Sequence, residues 1–329
     1  MDKENHLIYG IQYLRGFAAL GVVLCHYGSN LNDHENLSQL FNYVQCGVHI
    51  FFFISGYIIT HSLIKNNYQI KDFPKFILKR HIRIDPAYII VIILTLFTFY
   101  VLTFIPSFNG KPIPLIFDQF LCHILYIIPF TKYDFYNPVF WTLCVEFQFY
   151  ILVGTLYFLL NTNWFRFLLL FCGSTLIPIS NSYYLVSQYA PIFCLGISFM
   201  HIFEEKNRIY YLILLISFLV IYIQFGSIIC CLLLISITVI IYTKKNIVFL
   251  NFLGTISYSL YITHSIVLVI LLGIIKRISS EVINAQPLLM LIIEVFVALC
   301  ISYFYHIVIE KPSIILSNKI FLKNKCHLR

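Results

Sequence analysis

Arg15 and His26 stand eleven residues apart in the stretch YLRGFAALGVVLCHY, and everything between them is small or apolar. On a helix that spacing separates them by about 16 Å along the axis, roughly half of a hydrocarbon core about 30 Å thick. A cation near one face and an imidazole well inside are costly in lipid, so their default reading is a functional site. The plain alternative is a snorkelling Arg15 and a His26 hydrogen-bonded to a neighbouring helix. A carboxylate poses the same question. Glu146 follows Pro138 by eight residues in PVFWTLCVEFQFYILVG, about 12 Å into the layer and so at a depth comparable with His26. An imidazole and a carboxylate in one desolvated site can serve as a base and the group that orients it. A structural clasp between two spans is the other possibility.

Arg80 and Arg83 fall three apart in KRHIRIDP, on one helical face, and guanidinium forks suit phosphates. Ordinary topogenic charge explains the neighbouring lysines equally well. Ser55 lies mid-span in FFFISGY, where close helix packing would also favour it. Tyr258, Tyr261 and His264 share one face of SYSLYITHSIV, with His264 at mid-depth as a substrate or proton-handling candidate. Glu310 ends the last span near basic residues, which suggests an ion pair, while Glu294 and His49 read as structural. The ten cysteines form no C-x-x-C pair, so neither a metal site nor a disulfide framework is indicated.

The elements that must carry these groups are membrane helices. The chain is 60% hydrophobic and 11% charged, against about 25% charged in soluble domains. Hydropathy predicts an all-α polytopic protein of about ten transmembrane helices, at 7–27, 44–64, 86–105, 138–160, 164–180, 184–203, 209–224, 226–243, 252–275 and 287–309. The seventh and eighth are divided only by Gly226 and Ser227. A further apolar piece, 115–130, contains Asp118, His123 and Pro129 and reads as re-entrant or interfacial. The net charge of +8 is distributed by side, as the positive-inside rule requires, and not as a nucleic-acid surface. Lys65 to Arg83, Arg166, Lys206, Arg208, Lys244, Lys245 and the tail fall on one side, against Lys111, Lys132, Lys276 and Arg277 on the other. Both termini are therefore expected in the cytoplasm, in a multi-pass protein of the inner (plasma) membrane. No cleavable signal peptide is evident. Residues 1–329 read as a single transmembrane domain, with 312–329 a short basic cytoplasmic tail.

In order along the chain, YLRGFAALGVVLCH, HIFFFISGYIIT, KRHIRIDPAY, FWTLCVEFQFY, LGTISYSLYITH and IEKP resemble the membrane acyltransferase 3 family. Its members are ten-span enzymes that acylate carbohydrate hydroxyls. The resemblance implies that Arg15 and His26 form the family's R-x10-H signature, that Arg80 and Arg83 match its R-x-x-R pattern, and that Glu146 is its key acid. It implies an acyl-CoA donor, acetyl-CoA above all, as substrate with no permanently bound cofactor. The phosphates are expected near Arg15, Arg80 and Arg83. Ser55, Tyr150, Tyr261 and His264 are the expected contacts of a carbohydrate or lipid-linked glycan acceptor. His26 would be general base or acyl carrier. Thr142 replaces the family's usual serine and Phe147 a commonly acidic position. Asp85 stands where a bulky residue is common, and its carboxylate is expected to compete for the nearby arginines. Many relatives carry an SGNH-type hydrolase domain. The sequence runs only a short way past its tenth span without one, so transfer is expected within the membrane domain or through a separate protein. A secondary transporter using the His/Glu pair is the rival reading, although no inverted repeat is evident.

Overall fold

The computed structural model describes residues 3–28, 46–104, 113–176, 182–278 and 287–322, and among them it is built of helices with no strand. The helices are α1 (Lys3–Gly28), α2 (Gly47–Lys65), α3 (Phe73–Leu102), the short α4 (Phe117–Ile124), α5 (Trp141–Gly173), α6 (Val186–Glu205), α7 (Tyr210–Tyr242), α8 (Val248–Ile278), α9 (Pro287–Tyr305) and α10 (Lys311–Leu322). A helix stands at each of the ten expected spans, and seven helical stretches of the described residues are long and apolar enough to cross a membrane. Large apolar side chains face outward, among them Leu215, Leu219 and Ile223 on α7 and Phe296 and Phe304 on α9. That is the reverse of a water-soluble surface and fits lipid as the solvent. Lys323, Lys325 and Arg329 lie outside the described residues, and the first part of the expected tail is helical, as α10.

Two of the longest helices cannot be straight. In α7, Cys230 Sγ lies 3.5 Å from the carbonyl oxygen of Phe218, twelve residues earlier. A straight helix would separate them by about 18 Å. The chain folds back at Gly226, whose φ of 82° suits a residue without Cβ. α7 is thus the pair of spans that the sequence divides at this glycine. In α5, Phe149 stacks on Phe193 at 4.1 Å while Leu168 accepts from Cys194 at 3.5 Å, so both halves lie against α6.

The described residues fall into two compact units. Unit 1 holds Met1–Ala18, Cys46–Ile77 and Thr142–Gly254. Its centre is the contact of α2 with α6, made through backbone. A Cβ on Gly196 would sit 2.2 Å from the Phe53 oxygen, and one on Gly56 would sit 2.5 Å from the Phe193 oxygen. Small residues are what let membrane helices approach so closely. Gly196→Ala is therefore expected to lower thermal stability in detergent by about 1–3 kcal/mol or more through overpacking. Gly173→Ala, with nothing within 4 Å, is the control that should leave the melting curve in place. Equal curves for Gly196→Ala and the parent would refute this packing.

Unit 2 holds Ala19–Gln45, Leu78–Trp141 and Thr255–Arg329. Here Pro86 sits inside α3, where it removes one helical hydrogen bond. Tyrosines from neighbouring helices bond the backbone on either side of it: Tyr258 donates to Ile84 O at 3.0 Å and Tyr305 to Ala87 O at 2.5 Å. The segment after α3 turns back along it. Tyr126 donates to Asp85 Oδ1 at 2.7 Å and stacks on Tyr88, although Asp85 lies seventeen residues, about 26 Å, below the end of α3. The piece 115–130, expected to be re-entrant or interfacial, thus runs back along α3. Within it α4 keeps Gln119 and His123 inside and exposes Phe117, Leu121 and, just beyond its end, Leu125. His123 accepts from Tyr136 N at 3.1 Å through Nε2 and donates from Nδ1 to Gln119 O at 2.9 Å, a neutral ring fixed by backbone. A π-turn, His306–Glu310, joins α9 to α10. Lys311 N bonds His306 O there, and the wider turn admits Pro312 just past it, which has no N–H to give.

Candidate active site

Glu146 is the best-defined acid of unit 1. It projects from α5, one helical turn before Tyr150. The Ser55 hydroxyl, on α2, donates to Glu146 Oε1 at 2.6 Å, and the Tyr150 hydroxyl donates to the same oxygen. Among the described residues nothing bonds Oε2. The half-buried carboxyl group is therefore fixed by two hydroxyls on one oxygen, and the other is left to bond elsewhere. Phe147, where a second acid is common in the family pattern, is buried and packs edge-on against Tyr150 at 5.4 Å. The ring thus supports the tyrosine that holds Glu146. Ser55 and Tyr150 were expected to meet substrate; the structure shows their hydroxyl hydrogens directed to Glu146. Arg15, also in unit 1, is half-buried on α1.

The remaining expected residues belong to unit 2. His26 is half-buried near the end of α1, and its ring centre lies 5.2 Å from that of His264 on α8. His264 is fully buried and donates from Nδ1 to Tyr261 O at 2.7 Å. That bond makes Nε2 the acceptor nitrogen of a neutral ring. Tyr27, next to His26, donates to His264 O at 2.9 Å and so ties α1 to α8 beside the two imidazoles. The sequence carries no signal for Tyr27 beyond its place beside His26. Tyr261 donates to Val139 O at 3.3 Å. Tyr258, Tyr261 and His264 share a helical face as expected, yet each serves a different backbone carbonyl.

Arg80 and Arg83 lie on α3 below Pro86, Arg80 buried and Arg83 half-buried. Asp85 was expected to compete for these arginines. Its two oxygens instead take His81 Nδ1 at 2.7 Å and the Tyr126 hydroxyl. Glu310, expected to form an ion pair, faces His306 Nδ1 at 2.8 Å and accepts from Ser259 Oγ at 2.6 Å in a buried cluster, with no lysine or arginine partner among the described residues. His49 packs against Phe225 and Tyr189, and Glu294 is buried on α9.

A helical, lipid-facing chain that carries imidazoles, a held carboxyl group and an arginine pair, all buried or half-buried, is a multi-pass membrane protein with polar groups fit for an enzyme. Residues 8–307 match the model of a family described as an acyltransferase domain, acyltransferase 3. The chain belongs to that family and is a membrane acyltransferase. Neither the curated proteins nor the solved structures gave a match.

Proposed function

We propose that this protein moves an acetyl group from cytoplasmic acetyl-CoA to a hydroxyl of a cell-surface or exported carbohydrate, in the inner (plasma) membrane. The observation that carries this reading is the carboxyl group of Glu146, pinned on one oxygen and open on the other, in a chain of the acyltransferase family. The donor's phosphates bind Arg15, Arg80 and Arg83 on the cation-rich side. His26 is the general base that takes the proton of the acceptor hydroxyl, and Glu146 is the acid that stabilises the imidazolium so formed. Tyr261 contacts the acceptor, His264 acts on it through His26, and Ser55 and Tyr150 act through Glu146.

Purified protein in detergent or vesicles is given acetyl-CoA labelled in the acetyl group, with exported glycan from cells lacking the gene. Label on the glycan together with free CoA is the expected result. Flux of an intact solute across vesicles without acetyl-CoA would replace this reading by a transporter. Label trapped on the protein at His26 would select the acyl-carrier route over direct base catalysis.

The tyrosines around Pro86 supply a second check, because they fix the helix that presents Arg80 and Arg83. Tyr305→Phe removes that donor from Ala87 O, a loss of about 0.5–1.5 kcal/mol, the net worth of one hydrogen bond. The expected result is a KM for acetyl-CoA raised several-fold with kcat little changed. An unchanged KM would separate the arginines from the donor.

A further inference from the structure

Beside the proposed base lies an acceptor with nothing to accept. His264 Nε2 is shut off from solvent and has no hydrogen-bond partner among the described residues, while Nδ1–H is spent on Tyr261 O. A buried acceptor left in this state is destabilising and calls for an explanation. The separation of the two rings supplies one. Ring nitrogens stand about 1.1 Å from the ring centre, so an N–H···N bond of about 2.9 Å holds two imidazoles about 5.1 Å apart, centre to centre. The centres of His26 and His264 are 5.2 Å apart and their planes 34° from parallel. The rings therefore stand at bonding separation with the bond unmade. Burial of Nε2 also rules out its meeting an acceptor hydroxyl directly.

We propose that His264 is a positioning residue whose Nε2 accepts from the ring N–H of His26 opposite the nitrogen that takes the acceptor's proton, once His26 becomes an imidazolium. The inference rests on His26 being the base. The acceptor oxygen forms its bond to the thioester carbon as its proton passes to His26. The C–S bond breaks, CoA leaves as thiolate, and that thiolate takes the proton from His26 to become the thiol. Between those two events His26 is an imidazolium, and His264, neutral throughout, holds the N–H of its other ring nitrogen in a charge-assisted bond. Because the Nδ1 hydrogen is pledged to backbone, His264 has a lone pair waiting at Nε2 without having to change tautomer. The Tyr27 bond to His264 O keeps the two helices in register for this.

The test needs no identified acceptor. Release of CoA from acetyl-CoA is followed with water, and then methyl glycosides, as acceptor, for the parent, His264→Phe, His264→Gln and His26→Ala. Acetyl-CoA binding and thermal unfolding are measured alongside. His264→Phe keeps a ring but loses the acceptor, and should lower kcat about 10- to 100-fold with donor affinity unchanged. His264→Gln restores an acceptor and should recover most of that loss. Parental kcat in a folded His264→Phe, or His264→Gln as impaired as His264→Phe, overturns the proposal. If His26→Ala releases CoA as fast as the parent, the base assignment itself fails. If the parent releases none with any acceptor, the transferase reading fails with it.

Discussion

His26→Ala should abolish acyl transfer down to about 10²–10⁴-fold below the parent, the range that a positioned general base contributes. The protein should remain folded. His26 is half-buried, near the end of a helix in which alanine is favoured, and α1 is tied to α8 by the neighbouring Tyr27. The effect should fall on kcat, with donor affinity retained, because the donor's phosphates are assigned to the arginines. Full activity in a folded His26→Ala would remove the imidazole from the chemistry.

Glu146→Gln is the second large effect. The glutamine carbonyl can still accept from Ser55 and Tyr150, so the side chain stays in its place. What it loses is the negative charge offered through the open oxygen. If that charge stabilises the imidazolium, kcat should fall about 10²–10³-fold, comparable with the loss of one preorganised group facing developing charge. Ser55→Ala and Tyr150→Phe each remove one of two donors on the same oxygen. They should cost far less than Glu146→Gln, since the remaining donor keeps the carboxyl group oriented. A fully active Glu146→Gln would leave the held carboxyl group a structural clasp.

Much of this arrangement is legible in the residues. Lipid makes polar groups expensive, so Arg15, His26, Glu146 and the pair Arg80 and Arg83 are conspicuous against apolar neighbours. The fold-back at Gly226 is legible for the same reason that the turn back through 115–130 is: glycine, proline and polar residues interrupt apolar runs. Partners of buried charges are less so. His81 lies one turn from Asp85, and His306 one turn from Glu310, spacings visible in the sequence once a histidine is considered before a cation. Tyr126 on Asp85 and Ser55 on Glu146 join residues 41 and 91 apart in the chain, and no local pattern reports such pairs. Nor does spacing reveal that His264 presents an empty acceptor, because that depends on which carbonyl takes its Nδ1 hydrogen.

That one imidazole and one carboxylate serve a single chemical step is tested most directly by kcat/KM for His26→Ala, Glu146→Gln and the double variant, all with acetyl-CoA in detergent. Groups that act as a unit are strongly non-additive, so the double variant should be hardly slower than His26→Ala alone. A double variant slowed by the product of the two single factors would mean that His26 and Glu146 act independently, and the mechanism would be wrong.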